Sequence, residues 1–220
     1  ADGKILDLIE RFLRSGVMED GVFKPTTVGT PQGGVVSPLL ANIVLNHLDW
    51  QLHQHGLRFV RYADDFVVLC PSKARAEEAL ALVSKVLSQL GLALSPEKTR
   101  ITSYGAGYSF LGFWISKRGI RMRPKSQAKF EQKLKDLTPR HCNFGKDVIA
   151  EINRVIRGTA QYFATRWSNP RRQFHHLDSW IRRRLRAMKF KRFSYWDNRR
   201  YPVRCFEKLG LLSLESFCWK

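Results

Sequence analysis

The sequence predicts an α+β fold in two parts: antiparallel hairpins alternating with helices over residues 1–122, then an all-α, three-helix, strongly basic part over 123–220. Three observations carry this. Apolar residues recur at helical spacing in several stretches of 13 residues or more. Between the earlier ones lie short runs rich in aromatic and β-branched residues, bounded by Gly, Pro, Asp and Ser. Charge is split: residues 1–120 hold 13 basic and 11 acidic residues, +2, whereas residues 121–220 hold 25 and 8, +17.

The elements follow in order. Residues 3–15 place Ile5, Leu8, Ile9, Phe12 and Leu13 on one face of a helix that ends at Gly16. Residues 21–28 read as a turn and short strand. Gly29 to Gly34 form a glycine-rich loop, after which Ser37 caps a helix with Pro38 at its first position and Leu39, Leu40, Ile43, Val44 and Leu48 as its buried face. Such a loop feeding a helix N-terminus can bring backbone N–H groups to a phosphate, although loops before capped helices are common. Arg58 to Leu69 form a hairpin. Ser72 caps a helix over 73–90 that stops at Gly91, with Ala76, Leu80, Val83, Leu87 and Leu90 facing one way. Leu92–Leu94 and Arg100–Ser103 are expected extended on either side of a Ser95-Pro96-Glu97 turn, Tyr108–Ile115 as one apolar strand, and Ile120–Arg123 as a short return strand after Lys117-Arg118-Gly119. Helices follow over 125–137, 146–165 and 173–191, with apolar positions enough for a small bundle and basic residues on the remaining faces.

The hairpin at 58–69 is the centre of the chain. Aromatic and β-branched strands flank Asp64 and Asp65 at a tight turn. Asp is a common turn residue, so an ordinary hairpin is one reading. Two neighbouring carboxylates repel, however, and a divalent cation removes that repulsion.

The net charge of +19 and pI near 10.3 favour a polyanionic partner, nucleic acid or an anionic membrane surface. No segment approaches the roughly 20 apolar residues of a membrane span and no signal peptide opens the sequence, so a cytoplasmic or organellar, non-secreted protein that does not use a membrane is expected. Cys70, Cys142, Cys205 and Cys218 are widely spaced and form no C-x-x-C pair, which favours reduced thiols over structural zinc.

Pro31-Gln32-Gly33, Tyr62-Ala63-Asp64-Asp65, Leu94-Ser95-Pro96-Glu97-Lys98-Thr99 and Phe110-Leu111-Gly112-Phe113 occur in this order, and Ile152 to Gly158 with Tyr162-Phe163 lie in the basic part. With these boxes the chain resembles the reverse transcriptases of group II introns over essentially its whole length, the basic part being similar to that family's thumb or maturase region. The resemblance implies the C-terminal part of a polymerase palm over 1–122 and a thumb or maturase domain over 123–220. It implies RNA-directed DNA synthesis by phosphoryl transfer at two Mg²⁺ ions, with Mn²⁺ as an alternative, and a maturase role in intron splicing. Asp64 is then the primary catalytic metal ligand and Asp65 a weaker one. Lys98 lies near the incoming triphosphate, unless it is a solvated lysine in a turn; Gln32 and Gly33 line the nucleotide and template pocket; Phe110, Leu111 and Gly112 contact the primer, unless they are simply an aromatic-rich core strand.

In the basic part Arg154, Arg157, Arg166, Arg171, Arg172, Arg182, Arg183 and Arg186, with Arg184, Lys189, Lys191 and Arg192, are expected on phosphates, and Tyr162, Trp167, Phe174, Trp180, Phe190 and Phe193 lie among them. His175 and His176 are expected as surface or capping residues. The implied partners are intron RNA, an RNA template, an RNA/DNA hybrid and deoxynucleoside triphosphates. The family's site needs a further aspartate on an earlier strand, and neither Asp7 nor Asp49 has the context to replace it. The chain is therefore expected to be a fragment, a truncated frame or one piece of an assembly with a separate fingers and palm segment or a second copy, inefficient as a polymerase alone. Two other readings stay open: a non-enzymatic RNA-binding splicing factor with a vestigial palm, and an RNA-dependent RNA polymerase.

Overall fold

The computed structural model describes residues 2–19, 22–24, 34–142 and 144–219. The α+β expectation holds, and the chain divides into two compact units, 1–101 and 102–220.

In the first unit α1 (Gly3–Arg14) is capped by the Asp2 carboxylate, which accepts from the Lys4 N–H, and runs into a hairpin of β1 (Val17–Glu19) and β2 (Val22–Lys24). The core lies between α2 (Ser37–Gln54), the antiparallel hairpin β3 (Arg58–Tyr62) and β4 (Asp65–Leu69), and α3 (Lys73–Gln89). Leu48 and Leu52 of α2 meet Ala79, Val83, Val86 and Leu87 of α3, with Phe59, Phe66 and Val68 of the hairpin packed against them. Ser72 caps α3 as expected, its hydroxyl accepting from the Arg75 N–H at 3.2 Å.

Three expectations need correction here. The residue before α2 is Val36, which offers no side-chain cap, so Ser37 is already helical. The predicted buried face of α2 is also misplaced: Leu39, Ile43 and Val44 are exposed, and only Leu48 and Leu52 are fully covered. The helix buries the half that lies over the β3–β4 hairpin. Leu92–Leu94 and Arg100–Ser103 form no strand.

The second unit opens with a three-stranded antiparallel sheet, β5 (Tyr108–Phe110), β6 (Phe113–Ser116) and β7 (Gly119–Met122), followed by α4 (Pro124–Leu137), α5 (Lys146–Phe163), α6 (Arg171–Phe190), the short α7 (Asp197–Arg200) and α8 (Val203–Lys208), and a 3-10 turn at Glu215–Phe217. The single strand predicted over Tyr108–Ile115 is instead a hairpin. Leu111 (φ 47°) and Gly112 (φ 83°) both have positive φ, the requirement of the two-residue turn that matches strand twist, so the chain reverses between Phe110 and Phe113.

This sheet packs with the helices. Met122 is buried among Phe130, Leu134, Ile152, Ile156, Phe163 and Phe174. The Gln173 side chain bonds both backbone groups of Met122, and the Asn169 N–H donates to the Ile120 carbonyl at 2.8 Å, so the start of α6 satisfies the free edge of β7. The unit boundary by packing therefore falls at 101/102 rather than at 122/123.

The tail is strapped down by two buried polar side chains. Asn153 donates to the Gly210 carbonyl and accepts from the Leu212 N–H; Asp178 accepts from the Ser213 hydroxyl and from the N–H groups of Leu214 and Glu215. The four cysteines are free.

Candidate active site and nucleic-acid surface

The β3–β4 hairpin closes with Tyr62 paired to Asp65 and only Ala63 and Asp64 between the strands. Ala63 has φ 52° and Asp64 does not share that sign, the pattern of a turn with its special residue first. A non-glycine residue there is strained by about 1 kcal/mol, and such strain persists where surroundings fix the backbone.

Arg61 fixes it. Strand alternation turns Arg61 to the same side as Phe59, toward α2. Its Nε and one terminal nitrogen grip both carboxylate oxygens of Asp49, and the other terminal nitrogen donates to Asn42 Oδ1 at 2.8 Å and to the Ala63 carbonyl at 2.9 Å. The hydrogen bond that Arg61 donates to Asp49 raises the Arg61 pKa against the opposing effect of burial, so the guanidinium stays charged. One side chain thus ties the strained turn to two positions of α2, and the Asp49 charge is fully engaged by it. Sequence reading missed both partners; the available signal was an arginine on the inward side of an apolar strand.

Asp64 and Asp65 are exposed and, among the described residues, have no hydrogen-bond or ion-pair partner. The neighbouring cation that could have neutralised them is spent on Asp49. Pro38, Asn42, Asp49, Phe59, Arg61, Tyr62 and Ala63 line an open groove of about 570 Å³ beside the turn. Free carboxylate oxygens on an exposed turn suit Mg²⁺, which keeps waters and takes phosphate oxygens as further ligands. Among the described residues no group of three or more His, Cys, Asp or Glu side chains gathers to hold an ion.

The other expected residues are placed as follows. Gln32 and Gly33 lie outside the described residues. Lys98 is exposed in the turn closed by the Thr99 N–H on the Ser95 carbonyl at 2.9 Å. Phe110, Leu111 and Gly112 sit at the tip of the β5–β6 hairpin in the second unit, where the Tyr162 hydroxyl donates to the Leu111 carbonyl at 2.8 Å, and Ser126 and the Arg123 N–H donate to the Gly112 carbonyl. Phe113 stacks on Tyr162 and meets Phe163 edge-on.

In the helices Arg157, Arg172 and Arg183 are exposed, as is Arg166 in the turn between α5 and α6; Arg182 is half-buried; Arg154 pairs with Glu151 and Arg171 with Glu215 at the surface. Arg186 must be corrected. It is 8% exposed, donates to the Tyr201 carbonyl at 2.8 Å and lies over the Phe206 ring, with burial lowering its pKa, so it is an internal brace. Arg184 clamps Thr138, Lys191 donates to the Cys142 carbonyl and Arg192 reaches Asp197. Phe174 is fully buried core rather than an exposed ring. Residues that the sequence reading passed over, Tyr195, Trp196 and Trp219, are exposed. Among the described residues no helix is long and apolar enough to cross a membrane.

Comparison with known proteins gives the following. The family described as reverse transcriptase (RNA-dependent DNA polymerase) matches residues 3–115, just over half of the chain, and the group II intron maturase-specific domain matches 127–206. Protein YkfC of Escherichia coli is 30% identical over 156 residues, covering 55% of this chain and 41% of its own length. An uncharacterized 91 kDa protein in a cob intron of Schizosaccharomyces pombe is 30% identical over 175 residues, covering 52% of this chain and 22% of its own. The group II intron-encoded protein LtrA of Lactococcus lactis is 47% identical over 60 residues, covering 27% of this chain and 10% of its own. The chain thus spans less than half the length of these relatives.

Proposed function

This chain belongs to the reverse transcriptase (RNA-dependent DNA polymerase) family, in its group II intron-encoded branch, and on that premise we propose that it serves RNA-directed DNA synthesis, adding deoxynucleotides to a primer on an RNA template, and binds intron RNA in splicing. The observation that carries the reading is the pair of carboxylates, Asp64 and Asp65, without a side-chain partner among the described residues, on a turn that Arg61 braces.

In this reading Asp64, with Asp65, holds Mg²⁺ in the complete site, and a further ligand comes from outside the described residues. The chemistry that bound Mg²⁺ supplies is activation of the primer 3′-hydroxyl and neutralisation of charge on the leaving pyrophosphate. The residues of this chain orient and bind. Arg61 keeps the carboxylates in register while consuming its own charge on Asp49, so that it does not compete for them. Lys98 offsets triphosphate charge; Gln32 and Gly33 flank the nucleotide; Phe110, Leu111 and Gly112 contact the primer. Arg154, Arg157, Arg166, Arg171, Arg172, Arg182 and Arg183 contact phosphates. Residues 1–122 act as palm and 123–220 as thumb and maturase region, a division supported by family matches on either side of it, although the 108–122 sheet packs with the helices. The working compartment is that of the intron RNA, bacterial cytoplasm or organelle.

The test is Asp64→Asn, placed in the polypeptide or assembly that completes the palm. RNA-templated primer extension should fall at least ~100-fold, because charge stabilisation worth several kcal/mol is removed, while RNA binding and splicing assistance persist. Undiminished extension would refute the catalytic role. A second reading, an RNA-binding maturase with a vestigial palm, is favoured by the +17 charge of residues 121–220 and predicts that the wild type also fails to extend.

A further inference from the structure

The second unit presents a group of aromatic rings that its core does not use. Between α6 and α7, Phe193 is 54%, Tyr195 83% and Trp196 63% exposed. Burying one such ring stabilises a fold by about 2 kcal/mol or more, so three left in water within four residues is a cost that the fold itself does not recover. Nor are they on a loose strap. The Ser194 and Tyr195 carbonyls accept from the N–H groups of Asp197 and Asn198, and the Trp196 carbonyl accepts from that of Arg199. Asp197 is buried at 1% exposure, reached by Arg192, and Tyr201 packs edge-on against Phe206 while its carbonyl holds Arg186. The rings therefore project from an ordered, doubly anchored turn.

Their neighbours are cations. The Arg140 guanidinium lies over the Phe193 ring at 4.8 Å and that of Arg199 over the Trp196 ring at 5.2 Å. Residues 189–204 hold six Lys and Arg against one acid, Asp197, which is internal. Aromatic residues and Arg are enriched at protein interfaces as well; what sets this patch apart is the excess of cations around its rings, with no exposed acid among residues 189–204. The ligand that matches flat ring faces backed by cations, with no exposed carboxylate in their own segment, is a set of flat π surfaces joined by anions. We propose that Phe193, Tyr195 and Trp196, backed by Arg140 and Arg199, form a stacking platform for unpaired nucleobases of a single-stranded RNA segment. It rests on the RNA-binding reading above and is distinct from the phosphate-contacting arginines of α5 and α6, which do not discriminate paired from unpaired strands.

The experiment uses the full chain and two fluorescently labelled RNAs with equal phosphate number: an unstructured strand of about 15 nucleotides and a blunt duplex. Trp196→Ala and Tyr195→Ala should each weaken the single strand about 10-fold and leave the duplex within about twofold, since base stacking on one ring is worth ~1–3 kcal/mol. Trp196→Phe should keep most of the single-strand affinity but lose part of the RNA-induced quenching of tryptophan fluorescence. Equal losses on both RNAs, or none, overturn the platform while leaving RNA binding intact. If the ring variants keep RNA affinity but abolish self-association in sedimentation, the patch is a protein contact and the proposal is wrong. A wild type that binds neither RNA overturns the RNA-binding reading and the platform together. Should Trp196→Ala unfold, Tyr195→Ala, at the most exposed ring, decides the matter.

Discussion

Arg61 commits its fork to Asp49, Asn42 and the Ala63 carbonyl, and this explains why a turn with two acids is held in a strained conformation. Truncating it leaves the half-buried Asp49 without its cation and frees the turn, so Arg61→Ala should destabilise the chain by ~2 kcal/mol in chemical denaturation, below the cost of a fully buried pair because both partners keep some solvent contact. Arg61→Lys keeps the charge but not the two-pronged grip, and should recover less than half of that loss; full recovery would mean that charge alone matters. Glu215 offers a pH test. The His175 hydrogen bond, then that of Arg171, holds its carboxyl below the usual carboxylate range. A depressed carboxylate pKa contributes stability that is present above the unfolded value and lost as pH falls through the folded one. The denaturation midpoints of wild type and Glu215→Gln should therefore differ above the ordinary carboxylate range and converge as pH falls below it. A gap that widens on acidification would invert the assignment. The acids at 64 and 65 were legible because two adjacent charges in an apolar hairpin are conspicuous; Asp49 was not, since its meaning depends on an arginine twelve residues away.

At the scale of elements, sequence periodicity located α1, α3, α4, α5 and α6 to within about two residues, because their apolar faces and Gly or Pro boundaries are strong signals. It failed where geometry overrides composition. Tyr108 to Ile115 is continuously apolar, and a leucine at positive φ leaves no mark in a sequence, so only Gly112 hinted at the reversal. The exposed apolar side of α2 likewise cannot be told from a buried one by spacing alone. The turn makes its own prediction. A methyl group on Gly112 would sit at φ 83° and within 3.4 Å of the Ser126 hydroxyl and 3.5 Å of the Phe163 ring. Gly112→Ala should thus cost ~1–2 kcal/mol in thermal or chemical unfolding, whereas Leu111→Gly, which relieves positive-φ strain, should be neutral or stabilising. If both behave alike, the two-residue turn is wrongly placed. The tail strap is a second test: Asn153→Ala strands the Gly210 carbonyl and Leu212 N–H and should lower stability by ~2 kcal/mol, with faster amide exchange of Leu212 as its local signature.

For the whole molecule, the charge count marks residues 121–220 as the cationic half but does not say which of its cations face solvent. A run of arginines in a helix reads as one cationic face, yet α6 turns Arg186 into the core and ties Arg184 to Thr138, because a helix carrying basic residues at 182, 183, 184 and 186 cannot keep them all on one side. What remains for phosphates is a smaller set, with Arg157, Arg166, Arg172 and Arg183 exposed. If about five phosphates of a single strand are neutralised, the logarithm of affinity should fall against the logarithm of salt with a slope of about −3.5, roughly 100-fold between 50 and 200 mM salt. Reversing Arg157 and Arg172 together to Glu should flatten that slope by about 1.5. Arg186→Ala should instead leave the slope unchanged and lower the unfolding midpoint, because it strands the Tyr201 carbonyl in the interior. A salt-independent wild type would remove the electrostatic basis of the reading, and a flattened slope in Arg186→Ala would return that arginine to the surface; the two measurements together separate cations that bind RNA from cations that hold the fold.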